Sequence, residues 1–296
     1  MKPLSFEKKK KLEGLFFVSP FIIGLLLFFL YPFYTSFKLS FGENVSIQGF
    51  QIEWSGFQNY IDILTVDTKF VPIFLDVVKD TFTKLPLIIV FSLIMAILLN
   101  RKIRGRGFFR AAFFMPFLLG TGVVLEQLID MGAVNQLLSV ESAGISSEMI
   151  AYLGPQVSGA INSFFSVIVT VLWSTGVQTL MFLSGLQGIS ESLYESANVD
   201  GATAWETFWK ITLPMIMPIM LVNIVYTLAD SFTNITNPII EYTQQVAFSE
   251  LKFENSAAMG MLYLAFVWIL VIIVFLVLGR NSIYDSKVKR ERRHRR

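Results

Sequence analysis

The sequence predicts an all-α, polytopic integral membrane protein with six transmembrane helices, and three observations carry that reading. Hydrophobic residues make up 54% of the 296 positions and charged ones only 16%, whereas soluble domains carry about a quarter charged. The apolar residues gather into long runs instead of an amphipathic pattern. Six of these runs approach the roughly 20 residues that a helix needs to cross a hydrocarbon core of about 30 Å. They are Leu15–Phe37, Thr81–Asn100, Phe108–Ile129, Ile161–Gln187, Pro214–Ile235 and Met259–Gly279.

Backbone amides in hydrocarbon need internal partners, so the spans are read as helices; no alternating strand pattern suggests a barrel. Pro20, Pro32, Pro86, Pro116 and Pro218 lie in or beside them and are expected to bend a helix or mark an end. The first run follows Lys8–Lys11 and superficially resembles a secretory leader. It is too long for a cleaved core and lacks a small-residue cleavage site, so it reads as a retained first span. One domain results: a basic N-terminus at 1–14, a six-helix membrane domain at 15–280 and a basic tail at 281–296.

Charge sets the orientation. Of the 24 Lys and Arg, 19 fall before Leu15, in 101–110, in 188–213 or from Arg280 onward, which are alternate connections and both ends. The other face has five and is rich in acids, including Glu43, Glu53, Asp62 and Asp67. The positive-inside rule then makes both termini cytoplasmic and places about 38–80, 130–160 and 236–258 outside. Of these, 38–80 carries Phe41, Phe50, Trp54, Phe57 and Tyr60, and reads either as a small cap on the membrane surface or as a loop without a binding role.

Composition excludes much chemistry. There is no cysteine and one histidine, His294, so thiol catalysis, cysteine metal sites and histidine acid–base work have no material. No G-x-x-x-x-G-K-[ST] loop is present to cradle ATP. An intramembrane enzyme is therefore disfavoured, and a secondary transporter lacks the expected repeats and central acids. Nothing points to nucleic acid; the expected surroundings are lipid and other proteins.

The connection at 188–214 is different from the rest. It is longer than the turn at 101–107 and acidic on a basic face, with Glu191, Glu195, Asp200 and Glu206 against Lys210. Two short helices are expected, capped by S-x-x-E at Ser192/Glu195 and T-x-x-E at Thr203/Glu206. Asp200-Gly201 is the turn between them, and Pro214 is expected to end the unit and open the next span. Trp205, Phe208 and Trp209 share one face of the second helix, as Leu193, Tyr194 and Ala197 do in the first. Acids disfavour a resting place on lipid head groups, so the hairpin reads as a docking element for a protein.

The order Glu195-x-Ala197, Asp200-Gly201-Ala202, then Ile211-x-Leu213-Pro214 resembles the EAA loop of ABC-importer permeases, with Ser196 in place of the first alanine of that name. The likeness extends to 19–41, to Phe57-x-Asn59-Tyr60 and to 98–116. These stretches resemble the carbohydrate-importing branch and the larger maltose permease type. Asn234-Ile235-Thr236-Asn237-Pro238 departs from the Gly-rich stretch of many relatives, which leaves the solute open. The resemblance implies the type I importer architecture in a bacterial cell membrane. Its partners would be a second permease, two ABC ATPases that use ATP and Mg, and an extracytoplasmic solute-binding protein. This chain itself would bind no cofactor or metal. It assigns ATPase coupling to Glu195, Ala197, Asp200, Gly201, Ala202, Ile211, Leu213 and Pro214. The solute would be a sugar or oligosaccharide, with a polyol or glycerol phosphate as the alternative. Intramembrane polar groups are costly and mark pathways: Gln178, Asn223 and Asn234 suit sugar hydroxyls, and Trp173 and Tyr226 the apolar faces of a ring. Interhelical hydrogen bonding is the competing role for the amides, and packing for Trp173. Glu126, Gln127 and Asp230 are further polar positions in the spans.

Overall fold

A computed structural model describes residues 6–44, 52–101, 107–108, 111, 115, 152, 154–234 and 236–294. The expected third span, Phe108–Ile129, lies almost wholly outside the described residues, as do Pro116, Glu126, Gln127 and most of 130–160. Among the described residues, five stretches are long and apolar enough to cross a membrane: Gly14–Ser40, Phe70–Asn100, Pro155–Ser174, Ala204–Phe248 and Phe253–Leu278.

The chain begins with α1 (Phe6–Leu25), a π-helical turn at Leu26–Leu30 and α2 (Tyr31–Ser40). A β-hairpin follows, with β1 (Gly42–Asn44) antiparallel to β2 (Ile52–Trp54), then α3 (Gln58–Thr65) and α4 (Phe70–Asn100). Next come α5 (Pro155–Ser174), α6 (Gly176–Gln187), α7 (Glu191–Val199) and α8 (Ala204–Thr207). A second π turn at Phe208–Thr212 leads into α9 (Leu213–Thr233), followed by α10 (Pro238–Phe248) and α11 (Phe253–His294).

Three local outcomes differ from the sequence expectation. The fourth span is not one rod: α5 ends at Ser174 and α6 starts at Gly176. The run Ser174-Thr175-Gly176 consists of poor helix formers, and the Thr175 hydroxyl donates to the Leu172 carbonyl at 2.9 Å, which competes with the backbone ladder. Pro214 does not separate the connecting unit from the fifth span. Proline lacks the N–H that would bond its fourth-preceding carbonyl; the π turn lets the Leu213 N–H reach Phe208 O instead, and the helix runs on. Leu26–Leu30 does the same ahead of Pro32, with the Tyr31 N–H on Leu26 O. The remaining difference, at the first cap of the connecting loop, concerns the candidate site.

The residues divide into two compact units. In the unit formed by Met1–Val77 and Asn234–Trp268, polar side chains tie short helices to the ends of long ones. Asn59 donates to the carbonyls of Ser40 (3.2 Å) and Gly42 (2.9 Å). Asp67 Oδ1 accepts from the N–H groups of Lys69 and Phe70 and so caps α4. Asn237 caps α10 through Ile239 N–H and donates to the Tyr263 hydroxyl at 2.9 Å. Phe74 packs edge-on against Phe266, with ring centroids 4.9 Å apart.

The unit formed by Val78–Thr233 and Ile269–Arg296 has a core of Ile89, Leu93, Ala96 and Leu99 from α4 against Phe182, Leu183 and Leu186 from α6, Ile189 and Ile216. Helices α6 and α9 approach closely at Gly185, where a Cβ would stand 2.8 Å from Ile219 Cγ1. Small residues at such crossings let backbones pack in the absence of a hydrophobic drive between helices.

Candidate coupling hairpin

Ile189, two residues past the end of α6, is buried, and the chain turns immediately at Ser190 (φ −61°, ψ 132°) to begin α7. Ser190 therefore occupies the N-cap position, and the expected Ser192/Glu195 box is not formed. Burial of Ile189 sets the helix start two residues early, which leaves Ser192 in the first turn, where its hydroxyl meets that of Ser190 at 2.8 Å. Glu195 is exposed and caps nothing.

The C-terminal end of α7 follows the sequence expectation. Gly201 has φ +76°, a left-handed conformation that glycine alone adopts without steric cost. Its N–H bonds Asn198 O at 3.1 Å, and the next N–H, of Ala202, bonds Ala197 O at 2.9 Å. These two bonds are the Schellman closure, which satisfies carbonyls otherwise orphaned at a helix end. Ala197 is buried beneath them. The chain then enters α8 through a complete capping box: the Thr203 hydroxyl accepts from Glu206 N–H (3.3 Å), and Glu206 Oε2 accepts from Thr203 N–H (3.0 Å).

Two side chains that the sequence did not single out as partners close the hairpin. The hydroxyls of Tyr194 on α7 and Thr212 in the π turn share a hydrogen bond at 3.1 Å. Thr212 is buried, and Tyr194, Phe208 and Leu213 pack on the core that holds α6 and α9. The sequence placed Tyr194 on one face with Leu193 and Ala197; the fold turns Leu193 out and leaves Tyr194 and Ala197 inward. The partner of Tyr194 lies 18 residues away across a turn, beyond the reach of periodicity. Together they join the hairpin to both membrane helices that flank it. Between α4, α7 and α8 lies a cavity of about 460 Å³, lined by Asn100, Arg101, Tyr194, Asn198 and Phe208 among others.

The outward surface is apolar and acidic together. Trp205 and Trp209 are exposed and in edge-on contact at 5.5 Å, Val199 and Leu193 are exposed, and Glu191, Glu195 and Asp200 lie among them. Ile211 and Leu213 are half-buried on the inward side, while Ala202 is half-buried and Pro214 exposed.

The polar residues of the spans fall into two groups. Gln178 and Asn223 form an interhelical knot: Asn223 Nδ2 donates to Gln178 O (3.1 Å), Gln178 Nε2 to Thr227 Oγ1 (3.2 Å), and Thr227 Oγ1 to Asn223 O (2.8 Å). Both amides are closed off from the surface, yet among the described residues their side-chain oxygens, and the hydroxyl of neighbouring Thr179, have no hydrogen-bond partner. Trp173, Tyr226 and Asp230 are half-buried. Asn234 is exposed just past α9, its side-chain oxygen accepting from the N–H and hydroxyl of Thr236. Among the described residues no cluster of metal ligands is present.

Residues 15–290 match a family described as binding-protein-dependent transport system inner membrane component. The chain is 30% identical to a probable ABC transporter permease protein, YesP, of Bacillus subtilis, over 95% of this chain and 94% of that one. It is 29% identical to the trehalose/maltose transport system permease protein MalF of Thermococcus litoralis, over 74% and 72% of the two chains. Its fold is similar to that of a chain in the crystal structure of a bacterial ABC transporter that imports the acidic polysaccharide alginate. That likeness has a TM-score of 0.66 at 20% identity and covers 92% of this chain and 98% of the other.

Proposed function

The chain belongs to the family of binding-protein-dependent transport system inner membrane components, and on that premise we propose that it forms, with a second permease, the membrane pathway of an ATP-driven sugar or oligosaccharide importer. The observation that carries the coupling role is the hairpin 190–212. Its turn is fixed by a left-handed glycine, its second helix by a capping box, and its base by the Tyr194–Thr212 bond. A rigid element of this kind transmits a push, where a flexible loop would absorb it. The exposed tryptophans and carboxylates on its outer surface suit a protein cleft; aromatic residues are enriched at the centres of protein interfaces.

In this reading two ATPase subunits bind and hydrolyse ATP with Mg, and the chain itself is not catalytic. Glu195, Asp200 and the outward tryptophans meet the ATPase. Ala197, Gly201, Ala202, Ile211, Leu213 and Pro214 shape the hairpin and its junction with α9. Both termini are cytoplasmic, and solute arrives from an extracytoplasmic binding protein. The sugar assignment is supported by the saccharide named for the MalF relative. Gln178, Asn223, Trp173, Tyr226 and Asn234 supply the pathway. The oxygens of Gln178 and Asn223, which have no partner among the described residues, are acceptors for solute hydroxyls in a state where α6 and α9 part.

The test is reconstitution of the complete transporter in proteoliposomes with its binding protein and a series of mono-, oligo- and polysaccharide fragments. Uptake that requires ATP, the binding protein and a saccharide is expected. Sugar-independent transport of another solute class would overturn the substrate assignment.

A further inference from the structure

Helix α3 is apolar on both its inward and its outward side. Its inward side carries Asn59, which is buried with Ile63, while Phe57, just before its first turn, and Ile61 and Leu64 point outward with 66%, 50% and 51% of their surfaces exposed. Trp54, at the end of β2, continues the same stripe and is 75% exposed. In water a contiguous apolar strip of this size marks an interaction site. Phe57, Ile61 and Leu64 recur at four- and three-residue spacing and so share one side of the helix. Trp54, on the strand, joins them through Phe41, which stacks on Trp54 and meets Phe57 edge-on; none of the four is charged. Gln58 donates to Asp62 at 2.9 Å along the flank.

The depth of this helix follows from its tether. Asn59 Nδ2 bonds the carbonyls of Ser40 and Gly42, at the end of the spanning stretch Gly14–Ser40, and the Tyr60 hydroxyl donates to Ser40 Oγ at 2.9 Å. So α3 lies at the level where the first span leaves the hydrocarbon. An unbroken aromatic series leads from the span to the strip. Phe37 contacts Phe41 (5.1 Å); Phe41 stacks on Trp54 (5.5 Å, 7° between ring planes) and meets Phe57 edge-on (5.2 Å). Phe33 and Phe37 of the span are themselves exposed, so the apolar surface passes from the spanning helix onto α3 without interruption.

We propose that α3 is an interfacial helix. Its Trp54–Phe57–Ile61–Leu64 face seats in the outer leaflet of the bilayer, at the boundary between head groups and acyl chains. Aromatic residues concentrate at this level, and amphipathic helices bury their apolar face about 5–10 Å into it. The neighbourhood is acidic, with Glu43 directly opposite Glu53 on the hairpin, so attraction to anionic lipid contributes nothing and the seating rests on apolar area. The proposal depends on the membrane-spanning reading and on residues 38–80 lying outside.

Because the chain has no cysteine, single nitroxide labels can be placed cleanly at Ile61→Cys, Leu64→Cys and Gln58→Cys. All three sites are exposed, so folding is not at stake. The complete transporter is assembled in nanodiscs of zwitterionic lipid, and collisions of each label with oxygen and with a water-soluble nickel chelate are compared. The ratio of oxygen to nickel accessibility is expected above unity at Ile61 and Leu64 and below unity at Gln58. Labels at Ile61 and Leu64 shielded from both reagents would show a protein partner on this face and overturn the proposal. Labels that collide more with nickel would show solvent there and overturn it equally. Uptake by the same labelled complexes tests the importer reading separately, since a transporting complex with a solvated α3 sinks only the lipid assignment.

Discussion

The Tyr242 hydroxyl donates to Asp67 Oδ2 at 2.8 Å and so joins α10 to the segment before α4, across 175 residues of sequence. Asp67 at once accepts from the N–H groups of Lys69 and Phe70 at the start of α4 and from Tyr242 on α10. Burial pushes its carboxyl up, but the N–H groups of Phe70 and Lys69, the Tyr242 hydroxyl and the Lys252 charge outweigh that and hold it below its usual value of 3.8.

A pH dependence follows from this. A carboxyl whose folded value is depressed contributes stability that is full above its unfolded value and is lost as pH falls through the folded one. Asp67→Asn is therefore expected to lower the thermal stability of the purified protein at neutral pH. The gap from wild type should close as pH falls below 3.8. A gap that persists unchanged at low pH would show that the charge plays no part. Tyr242→Phe removes one hydrogen bond to a charged group, worth about 1.5–3 kcal/mol, and is expected to raise amide exchange in α10 while leaving α7 unchanged.

Topology is checked with two exposed positions, Gln58 and Val199. In intact cells an impermeant maleimide should label Gln58→Cys. Val199→Cys should react only after the membrane is opened. The reverse order would invert the orientation drawn from the basic residues.

Much of this was legible in the residues, and what was not has physical causes. Membrane helices announce themselves through apolar length, and the left-handed turn at Gly201 and the Thr203/Glu206 box through local chemistry that needs no distant partner. The break at Thr175 and the cap at Ser190 were not legible. A span that is apolar enough hides a weak point at Ser174-Thr175-Gly176, and two serines compete for one cap until burial of Ile189 decides between them. Asp67–Tyr242 and Tyr194–Thr212 depend on which helices meet, which a single sequence does not encode in any local pattern. Gln178 and Asn223 stand out in the sequence as polar residues within the spans, but only the fold shows that they bond to each other.

That knot yields a prediction on the solute path. An interhelical hydrogen bond in a membrane protein is worth about 0.6 kcal/mol on average. Gln178→Ala and Asn223→Ala should therefore leave assembly and basal ATPase activity near normal, while lowering uptake. Failure of both variants to assemble would mark the pair as packing residues and remove them from the pathway.

The last prediction concerns the hairpin. At Gly201, φ +76°, an added Cβ meets nothing within 4 Å among the described residues, so backbone strain is the expected effect of Gly201→Val. A residue with a side chain in the left-handed region costs roughly 1–2 kcal/mol, more for a β-branched one. That is too little to unfold the spans, but enough to favour a different turn and lose the Asn198 and Ala197 closures. Thr203→Ala removes the box at a cost of about 1 kcal/mol. Glu195→Ala touches no cap, so its effect should be confined to the partner contact and should fade at high salt. Tyr194→Phe deletes the bond to Thr212 and keeps the ring, which separates tethering from packing. Each variant is assembled with its ATPase, second permease and binding protein; subunit ratio, binding-protein-stimulated hydrolysis and uptake are then measured. Gly201→Val is expected to insert normally and to lose most uptake per ATP hydrolysed, with Tyr194→Phe intermediate. Full stimulation and uptake in Gly201→Val would show that force reaches the spans by another route.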